Sequence, residues 1–559
     1  MVRDALGVHR AALEAVQPGA RYVFASGEQR WADPASRHQP SGVHGPSEIV
    51  DPNFAWTDQA WRGRSLAQAV IYELHVGTFT QQGTFDAAVH ELDRLVGLGI
   101  TAIELMPVAQ CPGDRNWGYD GAFLFAVARA YGGPDGLRRF VDGCHLRGLA
   151  VVLDVVYNHF GPEGVTAPQL GPYFRDDWST PWGRAINFDG PGSDEVRRFF
   201  LANAAMWLRL YHIDGLRLDA VHGIVDHAPI PFLAELAELG ATIGAESWPR
   251  WLIAESDAND PRLVRPAALG GIGLDGVWAD DFHHAVHRLL TGERHGWYAD
   301  YDDPELLTAA IEDGFAYRGQ YSGFRRRRHG APPDGIPPEA FVICVQNHDQ
   351  VGNRRGGERL VALVEPEAAA MGMALLLLSP PTPLLFMGEE YGEPAPFLFF
   401  TDHGDPHIIE ATRAGRLAEH FGDGEPPDPQ APETMAKSVI DARLREQPAH
   451  RAREALVRTM LEVRRSAGWI RHRSECVCMR VADGRVLQLA FGEDGPLGLF
   501  MIEHGGNAAI DIPLPPGPWQ VVVSGGAVDA FGSGGVIGGR LQLDDVPKWW
   551  FAVLQRSDA

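Results

Sequence analysis

The run Asp214-Gly-Leu-Arg217-Leu-Asp219-Ala-Val-His222 is a short strand-like segment that ends in a carboxylate. Three other runs share its form: Val-Val-Leu-Asp154-Val-Val-Tyr157-Asn158-His159, Leu-Ile-Ala-Glu255-Ser-Asp257 and Cys344-Val-Gln-Asn347-His348-Asp349. Each is apolar until its C-terminal end and then breaks into Asp, Glu, Asn or His. Short, mostly apolar strands of this kind read as parallel strands buried on both faces. In a closed parallel barrel the C-terminal strand ends share one rim, so four such endings predict one site assembled from several strands.

Working outward, eight strand candidates lie between residues 70 and 387: 70–75, 102–107, 150–157, 215–219, 252–255, 276–278, 341–346 and 383–387. Helices are expected over 84–98, 136–147 and 194–211, with 450–466 as the last of the barrel. Eight strands with intervening helices predict an α/β chain closed into a (β/α)8 TIM barrel. The region exceeds the roughly 250 residues typical of such barrels, and the excess falls in loops 161–190, 291–338 and 388–444. Residues 1–65, rich in Pro, Gly, Ser and Trp, predict a short N-terminal β-sandwich remnant of glycan-binding type, with strands near 11–16 and 21–25. The barrel is assigned to 66–470. Residues 471–559 return to short strands, at 476–481, 486–491, 497–502, 520–523 and 549–554, and predict a C-terminal antiparallel β-sandwich.

The bulk properties narrow the function. The 559 residues carry a net charge of −24, which repels phosphates and disfavours nucleic acid or an anionic membrane as partner. The longest apolar run, 371–378, is far below the ~20 residues of a membrane span. Five scattered cysteines make no disulfide framework, and no signal peptide is evident, so a cytoplasmic protein is expected. The Arg run 325–328 reads as a solvated patch in a long loop.

The acids suit glycosidic bond cleavage. A retaining glycosidase needs a nucleophilic carboxylate and a second carboxyl about 5–5.5 Å away, acting first as acid and then as base. Asp219 fits the nucleophile, because Arg217 two residues earlier shares its strand face and keeps it ionised. Glu255, approached through the apolar run 251–254, fits a proton donor with a raised pKa. Asp349 and His348 are placed to hold sugar hydroxyls, with His159 in similar service. His222 reads equally as a ligand contact or a packing residue. Tyr119, in Asn116-Trp-Gly-Tyr119-Asp, is placed to stack on a sugar ring. Trp182 and the cluster Phe397-Leu-Phe399-Phe400-Thr-Asp402-His403 are candidates for more distant subsites, although core packing serves the central phenylalanines equally well.

These four strand-end runs resemble the short signatures of the α-amylase family of glycoside hydrolases, in order. The resemblance implies Asp219 as nucleophile, Glu255 as acid/base and Asp349 as transition-state stabiliser, with Arg217, His159, His348 and Tyr119 at the cleavage point. Tyr72-Glu-Leu-His75-Val-Gly-Thr-Phe79 looks like the first strand shared by glycogen-branching enzymes and trehalose-releasing hydrolases. Pro40–Ser47 (PSGVHGPS), Asp280-Asp-Phe-His-His284 with Thr291-Gly-Glu-Arg294, Phe324-Arg with His329-Gly330, and Pro396-Phe-Leu-Phe-Phe-Thr-Asp-His403 resemble the maltooligosyltrehalose trehalohydrolases within that family. Such enzymes normally begin with a complete sandwich, whereas only about 65 residues precede the barrel here. Asn158 matches a calcium-binding position of some relatives, but without companion acids no metal and no cofactor are expected. The resemblance implies hydrolysis of the α-1,4 bond next to the terminal trehalose of maltooligosyltrehalose. A maltooligosyltrehalose synthase would be the functional partner. A branching enzyme, a general α-glucan hydrolase and an inactive glycan-binding protein are the alternatives.

Overall fold

Strands rich in Val, Ile and Leu, each followed by a turn and a helix, pair here in strict chain order. In the computed structural model, residues 2–3, 7–419, 426–492, 495–502, 508–515, 519–525 and 539–556 are described. The barrel strands are β1 (Ile71–Leu74), β2 (Ala102–Leu105), β3 (Ala150–Val155), β4 (Gly215–Leu218), β5 (Trp251–Glu255), β6 (Gly276–Trp278), β7 (Phe341–Cys344) and β8 (Thr382–Phe386). All neighbours are parallel, and β8 pairs with β1 to close the sheet.

Alternation along the strands divides the interior. Ile71, Ala102, Val152, Ile253 and Trp251 pack into one apolar cluster towards the N-terminal end, floored by Leu66. Two residues further along the same strands, on the same face, stand Glu73, Glu104, Asp154 and Glu255. The barrel is therefore apolar at its lower layer and charged at its upper one. Outward residues such as Tyr72, Ile103, Leu105, Val151 and Leu153 pack on the surrounding helices.

Several elements differ from expectation. The helix expected over 84–98 is two, Phe85–Val89 and Leu92–Leu98, because the chain tightens to three-residue hydrogen bonds at His90 and Glu91. Residues 11–16 form no strand, and Ala15 adopts the left-handed conformation there. The expected strand at 21–25 is split into Arg21–Tyr22, paired with Ser47–Glu48, and Phe24–Ser26, paired with Gln29–Trp31. The long loops are structured: 161–190 carries the hairpin Phe174–Thr180 with Gly183–Ile186, 291–338 the helix Pro304–Glu312, and 388–444 the helices Pro406–Glu419 and Pro432–Lys437. The Arg run is only partly solvated: Arg326, Arg327 and Arg328 are exposed, while Arg325 turns inward, 3.7 Å from Asp257.

The C-terminal region holds β9 (Cys476–Val481), β10 (Val486–Phe491), β11 (Leu497–Met501), β12 (Ala508–Pro513), β13 (Trp519–Gly525), β14 (Arg540–Val546) and β15 (Phe551–Arg556). They form one antiparallel sheet in the order β9-β10-β11-β15-β13 and a second pair, β12-β14. Trp519 and Trp550 centre the core between them. The β12-β14 pair was not foreseen from the sequence. Among the described residues no helix is long and apolar enough to cross a membrane, and all five cysteines are free thiols.

Candidate active site

Arg217 organises the upper layer. Its Nη1 donates to Asp154 Oδ2 at 2.7 Å and to Asp219 Oδ1 at 2.9 Å, and its Nη2 lies 3.0 Å from Glu255 Oε2. The guanidinium rests 4.2 Å above the Trp278 ring. One fully buried cation thus touches carboxylates from β3, from the end of β4 and from β5.

Both oxygens of Asp219 are held. Asn158 Nδ2 donates to Oδ2 at 2.8 Å and also to the Asp219 carbonyl at 3.0 Å. The next residue, Ala220, is left-handed, at φ 39°. That conformation costs a non-glycine residue roughly 1–2 kcal/mol. It points the Ala220 N–H at Glu255 Oε2, 2.6 Å away. Backbone strain here fixes the orientation of the second carboxyl.

Glu255 is pushed up to about 8. Burial is the main cause; Arg217 opposes it, and the charges of Asp219 and Asp349 add to it. The group is therefore protonated at neutral pH and can donate a proton. Asp154 rises to about 6, again through burial, against the pull of Arg217.

Asp349 lies in the first turn of the short helix His348–Gly352, which Asn347 caps by accepting from Gln350 N at 2.9 Å. Its carboxylate is a third exposed, 3.5 Å from His348 Nε2. Glu73 accepts from the His348 backbone N–H at 3.0 Å and from the ring Nδ1. Burial lowers the His348 pKa, but Asp349 and Glu73 outweigh it and push the imidazole up to about 9. Tyr119 Oη sits 2.7 Å from His348 Nε2 and donates to Asp154 Oδ2 at 2.6 Å. A continuous polar chain thus runs from Glu73 through His348, Tyr119, Asp154 and Arg217 to Asp219.

His159 places Nε2 3.0 Å from the Tyr119 carbonyl, and its ring lies nearly parallel to Trp182, 5.9 Å away. Trp182, from the hairpin loop after β3, is 42% exposed and also meets His222, which is exposed. The structure therefore brings Asp219, Glu255, Asp349, Arg217, His348, Tyr119 and His159 together, with Trp182 and His222 on the rim. It does not bring Asp402 and His403 there. Asp402 takes the Asp114 backbone N–H at 2.9 Å and the Arg115 guanidinium, while His403 is buried between Asp120 and Glu163, at 3.6 and 3.5 Å. Gly113, at φ +64°, allows this closure, since a Cβ there would stand 2.3 Å from the Asp402 carboxyl. Phe397 and Phe400 are core residues, and Phe399 is half-buried against Trp117.

Residues that sequence reasoning did not single out for the site complete it: Glu73 orients His348, Trp278 supports Arg217, and Asp280 starts the helix after β6. Asp280 is pushed up to about 7 by burial and by the nearby charges of Asp349, Asp281 and Asp257. A signal existed for Glu73 and for Glu104: each is a lone carboxylate inside an apolar strand, at the alternation that faces inward.

The arrangement can run acid-assisted displacement at an acetal carbon. Two carboxyl groups, of which Glu255 is held protonated, share one guanidinium, and a third acid, Asp349, is close enough for its charge to raise Glu255. Similarity to known proteins is consistent with that chemistry. Residues 52–166 match the α-amylase catalytic domain. The chain is 47% identical over 445 residues to the malto-oligosyltrehalose trehalohydrolase of Saccharolobus solfataricus, covering 79% of this chain and 78% of that one. It is 46% identical over 528 residues to the same-named enzyme of Arthrobacter ramosus, covering 93% and 88%. A 1.4 Å crystal structure of a candidate α-amylase from Salmonella typhimurium superposes with a TM-score of 0.86 at 38% identity, covering 97% of this chain and 92% of that one. The chain belongs to the malto-oligosyltrehalose trehalohydrolases of the α-amylase family.

Proposed function

We propose that this enzyme hydrolyses the α-1,4-glucosidic bond next to the terminal trehalose of a maltooligosyltrehalose, releasing trehalose and a shorter maltooligosaccharide with retention of configuration. The observation that carries the chemistry is the pair Asp219 and Glu255 on one guanidinium, with Glu255 protonated to about pH 8.

Asp219 attacks the anomeric carbon while Glu255 gives its proton to the glycosidic oxygen, and trehalose leaves. The glucosyl–Asp219 ester is then hydrolysed by water, whose proton returns to Glu255. Arg217 and Asn158 each hold one oxygen of Asp219 and aim it. Loss of the Glu255 proton and of the Asp219 charge during the first step lets the electrostatics of each half-reaction reset the other. Asp349 and the His348 imidazolium, whose charge Glu73 balances, are placed to bind ring hydroxyls and favour the oxocarbenium-like transition state. Tyr119 and His159 line the cleavage point, with Trp182 and His222 beyond it. Asp402 and His403 act indirectly, by fixing the loop that follows β8 against residues 113–115 and 163. Selectivity for the α,α-1,1-linked end falls to the loops after β3, β6 and β8.

The substrate requires an earlier reaction that converts the reducing end of a maltooligosaccharide to trehalose, so a maltooligosyltrehalose synthase is the functional partner. Five free thiols suit a reducing cytoplasm. Product analysis on maltotriosyltrehalose and maltopentaose in parallel tests the reading. Free trehalose from the first and slow attack on the second are expected; comparable attack on both, or new branch points, would replace it.

A further inference from the structure

The opposite end of the barrel holds a second polar cluster that the reaction does not use. Asp214, just before β4, and Asp219, just after it, stand at opposite ends of one strand. Asp58 Oδ2 accepts from His145 Nδ1 at 2.8 Å and from His212 Nδ1 at 2.8 Å. His145 Nε2 lies 2.9 Å from Asp214 Oδ2, and Asp214 also accepts from Trp61 Nε1 and from Val151 N, both at 2.8 Å. Three elements meet here: the segment before the barrel, the helix Gly133–Leu146 and the entry to β4.

Tryptophans lock the imidazoles. Trp61 stacks on His145 at 4.7 Å and Trp56 on His212 at 3.8 Å, while Trp248 stands edge-on to both. His145 is fully buried and the Asp58 side chain is 5% exposed, but His212 keeps 23%, which leaves a way in from solvent. Among the described residues, this is the one place where three or more His, Cys, Asp or Glu ligand atoms converge, all within 4.8 Å of one another.

Charge counting says what the cluster lacks. Asp58 and Asp214 bring two negative charges, and Arg250, 3.9 Å from Asp214 and stacked on Trp248, brings one positive. With neutral imidazoles the group keeps one net negative charge, which favours a bound cation over a bound anion. Two imidazole nitrogens and one carboxylate oxygen are ligands for zinc, not for magnesium or calcium, which take oxygen. A histidine whose second nitrogen is held by a carboxylate is the usual support for such a ligand.

We propose that Asp58, His145 and His212 form a zinc site at the closed end of the barrel, with Asp214 orienting His145 and water as fourth ligand. Tetrahedral zinc with bonds of about 2.1 Å spaces its ligands about 3.4 Å apart, so the contacts to Asp58 open by about half an ångström on binding. Zn²⁺ takes the place of the Nδ1 proton on each imidazole. His145 releases that proton to solvent and keeps Nε2–H on Asp214. His212 moves its proton from Nδ1 to Nε2. The ion then ties the segment carrying Trp56, Asp58 and Trp61 to the barrel floor.

The test uses the full, tag-free chain, stripped with EDTA, given one equivalent of Zn²⁺ and passed through gel filtration. Metal content and melting temperature are then measured. The expected result is one zinc per chain, a raised melting temperature and an unchanged rate of trehalose release; Mg²⁺ or Ca²⁺ in place of zinc gives none of this. His212→Ala and Asp58→Asn should each weaken zinc binding by about tenfold or more. His212→Ala leaves the Asp58–His145–Asp214 chain in place, so it separates metal loss from misfolding. Absence of zinc from the parent, or equal retention by His212→Ala, would overturn the site.

Discussion

Each end of the barrel buries one histidine between two carboxylates, and the two arrangements behave differently. At the upper end His348 stands between Glu73 and Asp349; at the lower end His145 stands between Asp58 and Asp214. Both imidazoles are pushed up by their acids against the effect of burial. The acids diverge. Below, the hydrogen bonds from His145 and His212 outweigh burial and bring Asp58 down. Above, among the described residues, Glu73, Glu104, Asp154, Asp219, Glu255 and Asp349 share Arg217 and His348 as their cations. Protons must therefore stay on the surplus, and burial with like charges pushes Glu255 to about 8 and Glu104 well up. A balanced cluster fastens elements together. A cluster with excess acid stores a proton that can be spent on a leaving group.

The largest break in this contrast comes from Asp219→Asn. Removing the nucleophile should lower turnover on the order of 10³-fold or more, read as trehalose release under saturating substrate. The substitution also removes one of the charges that raise Glu255. Any residual activity should therefore lose its alkaline limb at lower pH than the parent. A variant as fast as the parent would refute covalent catalysis.

Glu255→Gln addresses the stored proton directly. General acid catalysis of this kind is worth about 10²–10⁴-fold, so turnover should fall within that range. In the parent, activity should decline as pH rises through about 8, where Glu255 ionises. Stability carries the same sign. The folded pKa lies above the ordinary 4.5, so the favourable contribution of Glu255 is complete below that value and is lost as pH passes about 8. Glu255→Gln should therefore gain melting temperature relative to the parent, and gain more at pH 9 than at pH 6; equal shifts at both would argue against a buried protonated acid.

The lower cluster predicts the converse, lost stability with intact chemistry. His145→Gln leaves Asp58 and Asp214 buried without their shared cation, a change that costs about 3–5 kcal/mol. In EDTA, denaturant unfolding should show that loss near pH 6. The deficit should shrink as pH rises through the raised pKa of His145, because its stabilisation is present below the ordinary 6.5 and disappears once the imidazole deprotonates. Turnover of the folded variant should match the parent.

The upper cluster was far more legible in the sequence than the lower one. Alternation along a single strand puts residues two apart on one face, so Arg217 and Asp219 could be joined from their spacing alone, and the apolar approach to Glu255 foretold its raised pKa. Glu73 and Trp278 needed the closed barrel, since their partners lie on strands distant in sequence. Asp402 and His403 end an aromatic run that reads as a ligand contact, but a glycine at 113 lets the neighbouring loop approach Asp402, while Asp120 and Glu163 enclose His403. His145, His212 and Asp58 come from a helix, a loop and the segment before the barrel, and no spacing rule links them. The second pair of C-terminal strands was missed for a related reason: β12 and β14 are separated by a long connection and pair with each other, not with their sequence neighbours.

The finest distinction concerns the aromatic rings that cover each histidine. Trp182 lies parallel to His159 at the open end, and Trp61 lies parallel to His145 at the closed end, both within 11° of coplanar. Trp182 is 42% exposed, so it has surface left for a sugar, whose C–H face is apolar. Trp61 spends its indole N–H on Asp214. Stacking is worth about 0.5–1.5 kcal/mol, which corresponds to roughly 2–10-fold in affinity. Trp182→Ala should raise KM for maltotriosyltrehalose by that factor with kcat and melting temperature nearly unchanged. Trp61→Ala should do the reverse, lowering melting temperature with KM intact. If Trp182→Ala instead lowered stability and left KM alone, the ring would be packing for His159, and the exposed rim after β3 would have no part in holding the substrate.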